Sequence, residues 1–356
     1  MILFLPVMML SFVITIFMSI HIIRSWNSED KSTSKKINEI IYTIMALAFG
    51  IYYPFIILKL GGSKKGIFFG TAIDELTLLG NLFIFGVMMG IAAWGVSAKI
   101  RTIRNPELLK EQNNYEFFCK KFLEEYPERS KMQRRITHIL PGATVTLIIV
   151  LFSFLQGLLG DSWSSYALFF IVIIGIDFAF TFIAQDLIRL FDFSYMPPSA
   201  VKMCKAGLTS DELDTFSSTS VMVFSFGPFI FLTFPIFFIV LLITSVSDAM
   251  ASIIGIKTGE RKHCFPKSTD KCIEGYLAGF GFTFICTIFG VLFSNFFGLT
   301  NWSIELALFL AIILSIVFVL IDIITSKVKL QDNYLNPLIT GIVFILVLIS
   351  LNISIF

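Results

Sequence analysis

Charge is what this chain lacks. Of its 356 residues only 15% are Asp, Glu, Lys or Arg, against 56% hydrophobic ones, and the mean hydropathy is +0.85. A soluble domain cannot solvate such a surface, so the composition excludes that class and implies a membrane protein. A net charge of +2 offers little to nucleic-acid phosphates, and no nucleic-acid partner is expected. Histidine is down to three, and Cys119, Cys204, Cys264, Cys272 and Cys286 form no CxxC pair. That scatter argues against a structural zinc site and against a disulfide framework, so reduced thiols are expected. A phosphate loop is missing too: "LGGSKKG" at 60–66 lacks the GxxxxGK[ST] spacing. Strand-like alternation is also absent from the long apolar runs, which disfavours a membrane β-barrel.

What is there is a series of long apolar runs, at 2–23, 39–60, 75–98, 138–158, 164–190, 219–246, 275–297, 303–325 and 335–355. Each is near the roughly 20 residues a helix needs to span a bilayer. The first has no basic start or small-residue cleavage site and reads as a retained span. Basic residues crowd 24–36, 99–135, 189–205, 257–271 and 327–329, and by the positive-inside rule those connectors face the cytoplasm. This holds on both sides of 219–246 only if the stretch breaks. Pro228 and Pro235 allow it, giving two short helices near 213–232 and 235–256 that tilt or re-enter. The expected fold is an all-α polytopic membrane bundle of about nine to ten transmembrane or re-entrant helices.

Three modules are expected: an N-terminal three-helix membrane module at 1–104, a cytoplasmic linker at 105–133, and a membrane domain at 134–356. In the linker, Asn105 and Pro106 suit a helix start. Leu108, Leu109, Tyr115, Phe118, Phe122 and Tyr126 recur at helical spacing, predicting an amphipathic helix lying on the membrane surface.

The charge that exists is concentrated in "SDAMASIIGIKTGERKHCFPKSTDKCIEG", residues 247–275, with five basic and four acidic side chains. Ser245, Asp248, Ser252, Gly255 and Gly259 recur every three or four residues and make a small, polar stripe. Asp248 lies in a hydrophobic helix, where an ionisable group is costly and usually functional, and its carboxylate suits Mg2+. Lys257, Arg261, Lys262, Lys267 and Lys271 follow, a set able to neutralise a polyphosphate. Glu274 and Gly275 open the next helix, whose free N–H groups favour an anion. Together these suit phosphoryl transfer. On these features alone an ordinary cytoplasmic loop, with basic residues that only set topology, reads equally well.

The stretch resembles the nucleotide-binding region of CTP-dependent lipid kinases (dolichol, phytol and diacylglycerol kinases) and, more distantly, of phosphatidate cytidylyltransferases. Asp248, Ala249, Ala251 and Gly255 match the kinase pattern Asp-Ala-x-Ala-x-x-x-Gly. Lys271, Glu274 and Gly275 match Lys-Ser/Thr-x-Glu-Gly, with Cys272 in place of the hydroxyl residue. "RRITHILPG" resembles the family's entrance to its first core helix, placing Arg134, Arg135 and His138, and "DLIRL" resembles the acidic-x-x-Arg end of the next, placing Asp186 and Arg189. "QDNYLNPLITG" resembles the Asp-Asn-x-x-x-Pro element, giving Asp332, Asn333 and Pro337. The long Pro-Gly-His-Gly-Gly signature of the cytidylyltransferases is not present, although "PKSTDKCIEG" is similar to another of their segments.

The resemblance implies a CTP-dependent kinase acting on an isoprenoid lipid alcohol at the cytoplasmic membrane face, with CTP, the lipid and Mg2+ as its partners. The membrane is a prokaryotic plasma membrane or the endoplasmic reticulum. A cytidylyltransferase making a CDP-activated lipid is the alternative, and a non-enzymatic transporter or scaffold the second. The implied catalytic set is Asp248, Lys271, Glu274, His138 and Glu212, with Asp248 and Asp332 holding the metal. Nucleotide contacts are implied for Arg134, Arg135, Gly255, Lys257, Arg261, Lys267, Ser268, Gly275, Asn333 and Arg189. Asp177 and Gln185 face either the lipid hydroxyl or a neighbouring helix.

Overall fold

The computed structural model describes residues 4–27, 31–61, 71–108, 114–125, 134–135, 138–259, 264–265, 271–328 and 330–355. Lipid cannot satisfy backbone N–H and C=O groups, so an apolar chain must pair them within each segment, as helix. Among the described residues the regular structure is indeed helical, apart from one antiparallel bridge between Cys264 and Cys272. The helices are α1 (Leu5–Ser25), α2 (Thr33–Lys59), α3 (Ala72–Arg104), α4 (Tyr115–Glu125), α5 (Leu140–Phe154), α6 (Trp163–Phe191) and α7 (Pro198–Gly207). Then come α8 (Ser218–Phe226), α9 (Phe234–Leu242), α10 (Asp248–Thr258), α11 (Ile273–Phe296), α12 (Ile304–Val328) and α13 (Asp332–Ser350).

Among the described residues eight helices are long and apolar enough to cross a membrane, and the protein is an integral multi-pass membrane bundle. Two shorter apolar helices, Leu140–Phe154 and Ser218–Phe231, complete the ten segments expected. The proline break falls where the sequence placed it: a 3-10 turn, Gly227–Phe231, ends the first short helix, and Pro235 sits in the first turn of α9. Between them Thr233 is extended, and its N–H bonds the carbonyl of Ile355 at 3.0 Å. A π-helical turn, Ile243–Ser247, then joins α9 to α10 and shifts the helix register immediately before Asp248.

The chain forms two compact units, Met1–Arg134 with Phe169–Phe224, and Arg135–Leu168 with Ser225–Phe356. In the first, Ser11 donates to the Ala46 carbonyl at 2.6 Å and so joins α1 to α2. Phe49 stacks on Phe224 (5.1 Å) and meets Phe180 edge-on (6.0 Å). Gln185 donates to the Ala200 carbonyl at 2.9 Å and so ties α6 to α7. In the second unit, glycines let side chains of neighbouring helices sink against the α11 backbone, Phe318 at Gly279 and Ile239 at Gly290. Close approach at small residues is how helices pack where lipid supplies no hydrophobic drive.

The apolar face of α4 packs on protein: Phe118 and Phe122 are buried with Phe193, Met196, Cys204 and Leu208. Protein aromatics and thioethers offer that face a fixed, close-packed partner. Leu109 and Tyr126 lie outside the described residues. The bridge brings Cys264 and Cys272 together, while Cys119, Cys204 and Cys286 are free thiols. Odd number and scatter said nothing about two cysteines brought together by a bridge of extended backbone.

Candidate functional site

Three carboxylates converge in the second unit. Asp248 opens α10 just after the π turn, Asp322 lies near the end of α12, and Asp332 is the first residue of α13. One oxygen from each lies within 4.8 Å of the others, and Asp248 and Asp322 are buried. Like charges this close repel, so the fold must compensate them. Arg135 Nη1 donates to Asp248 Oδ2 at 3.1 Å. The Lys271 ammonium donates to Asp322 Oδ1 and, at 3.2 Å, to Asp332 Oδ2.

Lys271 is delivered by local backbone geometry. It precedes α11, between the two cysteines of the bridge, and its carbonyl accepts from the Phe265 N–H at 2.9 Å. The Tyr276 hydroxyl donates to the Phe265 carbonyl at 2.6 Å and ties that strand back to the first turn of α11. Burial by itself would lower the Lys271 pKa; the charges of Asp332, Asp322 and Asp248 outweigh it and hold the ammonium above its ordinary value. Lys271 is therefore a fixed cation at any physiological pH. All three acidic side chains offer hard oxygen donors, the set Mg2+ prefers when it is shared with substrate phosphates, so these residues fit a divalent cation.

Other expected residues fall into place around this cluster or away from it. Gly255 and Gly275 face each other where α10 crosses α11: a Cβ on Gly255 would stand 3.4 Å from the Gly275 Cα. Glu274 lies in the first turn of α11, and Asn333 is buried beside Asp332 at the start of α13. His138 is buried in the turn before α5, and Lys257 is exposed on the last turn of α10. Arg261, Lys267 and Ser268 lie outside the described residues.

Arg134, Glu212 and Arg189 belong to the first unit, where they brace the loop from Thr209 to Ser218. Glu212 accepts from the N–H and hydroxyl of Thr209 (both 3.0 Å), from those of Ser218 (2.9 and 2.6 Å) and from Arg134 Nη2 (3.3 Å). Burial alone would raise its pKa, but Arg134 and the Ser218 and Thr209 hydrogen bonds hold the carboxyl below the usual range. That is the opposite of what a general base near neutral pH needs. Arg189 is fully buried and bonds the Asp186 carboxylate (2.9 Å) and the carbonyls of Glu212 (3.1 Å), Leu213 and Thr215 (2.5 Å). Asp186 in turn accepts from the N–H and hydroxyl of Ser217, both at 2.7 Å. The Arg189 guanidinium thus donates to one carboxylate and three loop carbonyls.

Asp322 is the member that motif reading passed over. Its signal was nonetheless present: a single acid inside the apolar run "ILSIVFVLIDIITSK". An ionisable side chain at such a position is a functional candidate by its cost alone.

Comparison with curated proteins and with solved structures gave no match. The model of the Cytidylyltransferase family matches residues 117–331, more than half of the chain and a span that includes Asp248, Lys271 and Asp322. The chain belongs to the Cytidylyltransferase family.

Proposed function

We propose that the protein is a CTP-dependent kinase that phosphorylates the hydroxyl of an isoprenoid lipid alcohol, of the dolichol or polyprenol type, at the cytoplasmic face of its membrane. One observation carries the reading: Asp248, Asp322 and Asp332 converge around Lys271, with Arg135 on Asp248, where α13 begins and the chain enters α11. Paired carboxylates and cations at such a boundary suit a polyphosphate held in water beside an acceptor held in lipid. Asp332, Asn333 and Pro337 supply the kinase-like element, and membership of a CTP-using family supports the donor.

In this reading Asp248, Asp322 and Asp332 hold Mg2+, which when bound neutralises charge on the phosphates. Lys271 and Arg135 contact the triphosphate oxygens, joined by Lys257, Arg261 and Lys267 of the same stretch. The lipid tail stays in the apolar phase and its hydroxyl reaches the cluster. The hydroxyl oxygen attacks the γ-phosphorus, the bond from that phosphorus to the β–γ bridging oxygen breaks, CDP leaves, and the hydroxyl proton passes to a base, for which Asp248 and His138 are the candidates.

Family membership favours a second reading, attack of a lipid phosphate on the α-phosphorus with release of pyrophosphate. Purified protein with Mg2+, dolichol-like, phytol-like and diacylglycerol acceptors, and CTP labelled at the γ or α phosphate separates the two. Label from the γ position in lipid supports the kinase. Label from the α position, with phosphorylated lipid as acceptor, replaces it with nucleotidyl transfer. No label from either, with Asp248→Asn and Lys271→Ala indistinguishable from the folded parent, returns the chain to a transporter or scaffold.

A further inference from the structure

The carboxylate cluster carries its own cations. Lys271 lies on Asp322 and Asp332 while Arg135 lies on Asp248, so among the described residues of the cluster three negative and two positive charges leave a single net negative charge. Asp322 and Asp248 are nearly sealed from solvent, at 5% and 4% side-chain exposure, whereas Lys271 and Arg135 keep 28% and 22%. Asp322 and Asp248 are thus fixed by packing, whereas Asp332, at 18%, and the two cationic heads reach toward solvent and have room to move. The tie between Lys271 and the bridge is through its backbone carbonyl, so its four-carbon side chain is free to swing without breaking that bridge.

A divalent ion brought among these oxygens meets the Lys271 ammonium already on two of them. Keeping both cations would turn a nearly buried pocket from one net negative charge to one net positive charge. Close, poorly screened like charges make that costly. We infer that Lys271, assisted by Arg135, is a placeholder cation: it neutralises the carboxylates, and a divalent cation binds by displacing it, which frees its ammonium for the donor's phosphates. The inference rests on reading Asp248, Asp322 and Asp332 as the cation site. It adds that Lys271 competes with the ion instead of helping to hold it. Coupling of this kind is reciprocal, so a nucleotide that draws Lys271 away raises affinity for the ion, and the ion raises affinity for the nucleotide.

The test uses the full chain in detergent or nanodiscs without nucleotide, with Mn2+ as the probe and free Mn2+ read by electron paramagnetic resonance. Lys271→Met removes the competing charge and keeps the side-chain length. The expected result is Mn2+ binding tighter by about tenfold or more than in the parent. Asp322→Asn should weaken it. Lys271→Arg, which retains the charge and grips carboxylates in two places, should bind Mn2+ no better than the parent and more weakly than Lys271→Met. Should Lys271→Met not fold, Arg135→Met must show the same tightening to a smaller degree. Mn2+ affinity that is unchanged or weaker after loss of Lys271 overturns the inference, as does absence of Mn2+ binding in both parent and variant. CTP turnover by the parent beside an unchanged Lys271→Met affinity removes the placeholder alone. Tightening without turnover removes the kinase reading alone.

Discussion

Gly255 and Gly275 lie against each other at the crossing of α10 and α11, and a Cβ added to Gly275 would stand 3.1 Å from the Ala251 carbonyl oxygen. That oxygen is backbone and cannot rotate aside, so the helices must part. The crossing also sets the distance between Asp248 at one end of α10 and Lys271 just before α11. Gly275→Ala is expected to destabilise the protein by about 1–3 kcal/mol and to lower CTP-dependent label transfer at temperatures where it is still folded. Gly281 on the same helix has open space around an added Cβ, and Gly281→Ala should be neutral or slightly stabilising. Thermal midpoints and transfer rates of the two variants, measured together, check the contrast.

Asp322 supplies the third carboxylate. Asp322→Asn keeps the shape and one acceptor oxygen but removes the charge that faces Lys271. Label transfer is expected to fall by about 100-fold or more. The variant should remain inserted, and Mg2+ should raise its thermal midpoint less than that of the parent. A variant with full activity would take Asp322 out of the site.

Arg189 tests the opposite role. Its guanidinium gathers the Asp186 carboxylate and three loop carbonyls in a fully buried position, and lysine cannot reproduce that planar fork. Arg189→Lys is expected to cost about 3–5 kcal/mol of stability. In the fraction that folds, the KM for CTP should stay near the parent value, because the guanidinium's donors are taken up by Asp186 and the loop carbonyls. A KM raised tenfold with an unchanged thermal midpoint would return Arg189 to the phosphate ligands.

Much of the membrane architecture was legible because lipid leaves few options: long apolar runs become helices, and the break near Pro228 and Pro235 follows from proline's missing donor. Asp248 stood out for the same reason, as a charge where charge is expensive. Asp322 obeyed that rule too, yet it belongs to none of the short motifs. What spacing could not reveal was which partner each polar group finds. Sequence alone points to Glu212 as catalytic and to Arg189, in the DLIRL motif, as a nucleotide contact; the fold adds that Thr209 and Ser218 direct donors into the Glu212 carboxylate, that Ser217 donates to Asp186, and that loop carbonyls accept from the Arg189 guanidinium. Likewise α4 carries an amphipathic pattern that suits a bilayer surface or a protein groove equally well, and spacing could not reveal that Phe118 and Phe122 meet Phe193 and Met196.

Glu212 gives a pH signature with a definite sign. Its carboxyl is held below the ordinary range when folded, by Arg134 and by Ser218 and Thr209 against the opposing effect of burial. In the unfolded chain it returns to about 4.3. A depressed folded pKa means that the unfolded state binds protons first as pH falls, so the carboxylate's contribution is complete above the unfolded value and is lost as pH drops through the folded one. Glu212→Gln removes the titration while keeping the size. At pH 7 it should be less stable than the parent by about 3 kcal/mol, and the gap between the two thermal midpoints should shrink progressively below about pH 4.3. Other acids titrate alike in both proteins, so the difference isolates this one. A gap independent of pH from 7 down to 3 would mean that Glu212 is not the ionised brace of the 209–218 loop; a gap that widens on acidification would mean that its folded pKa lies above the ordinary value, as a catalytic base requires.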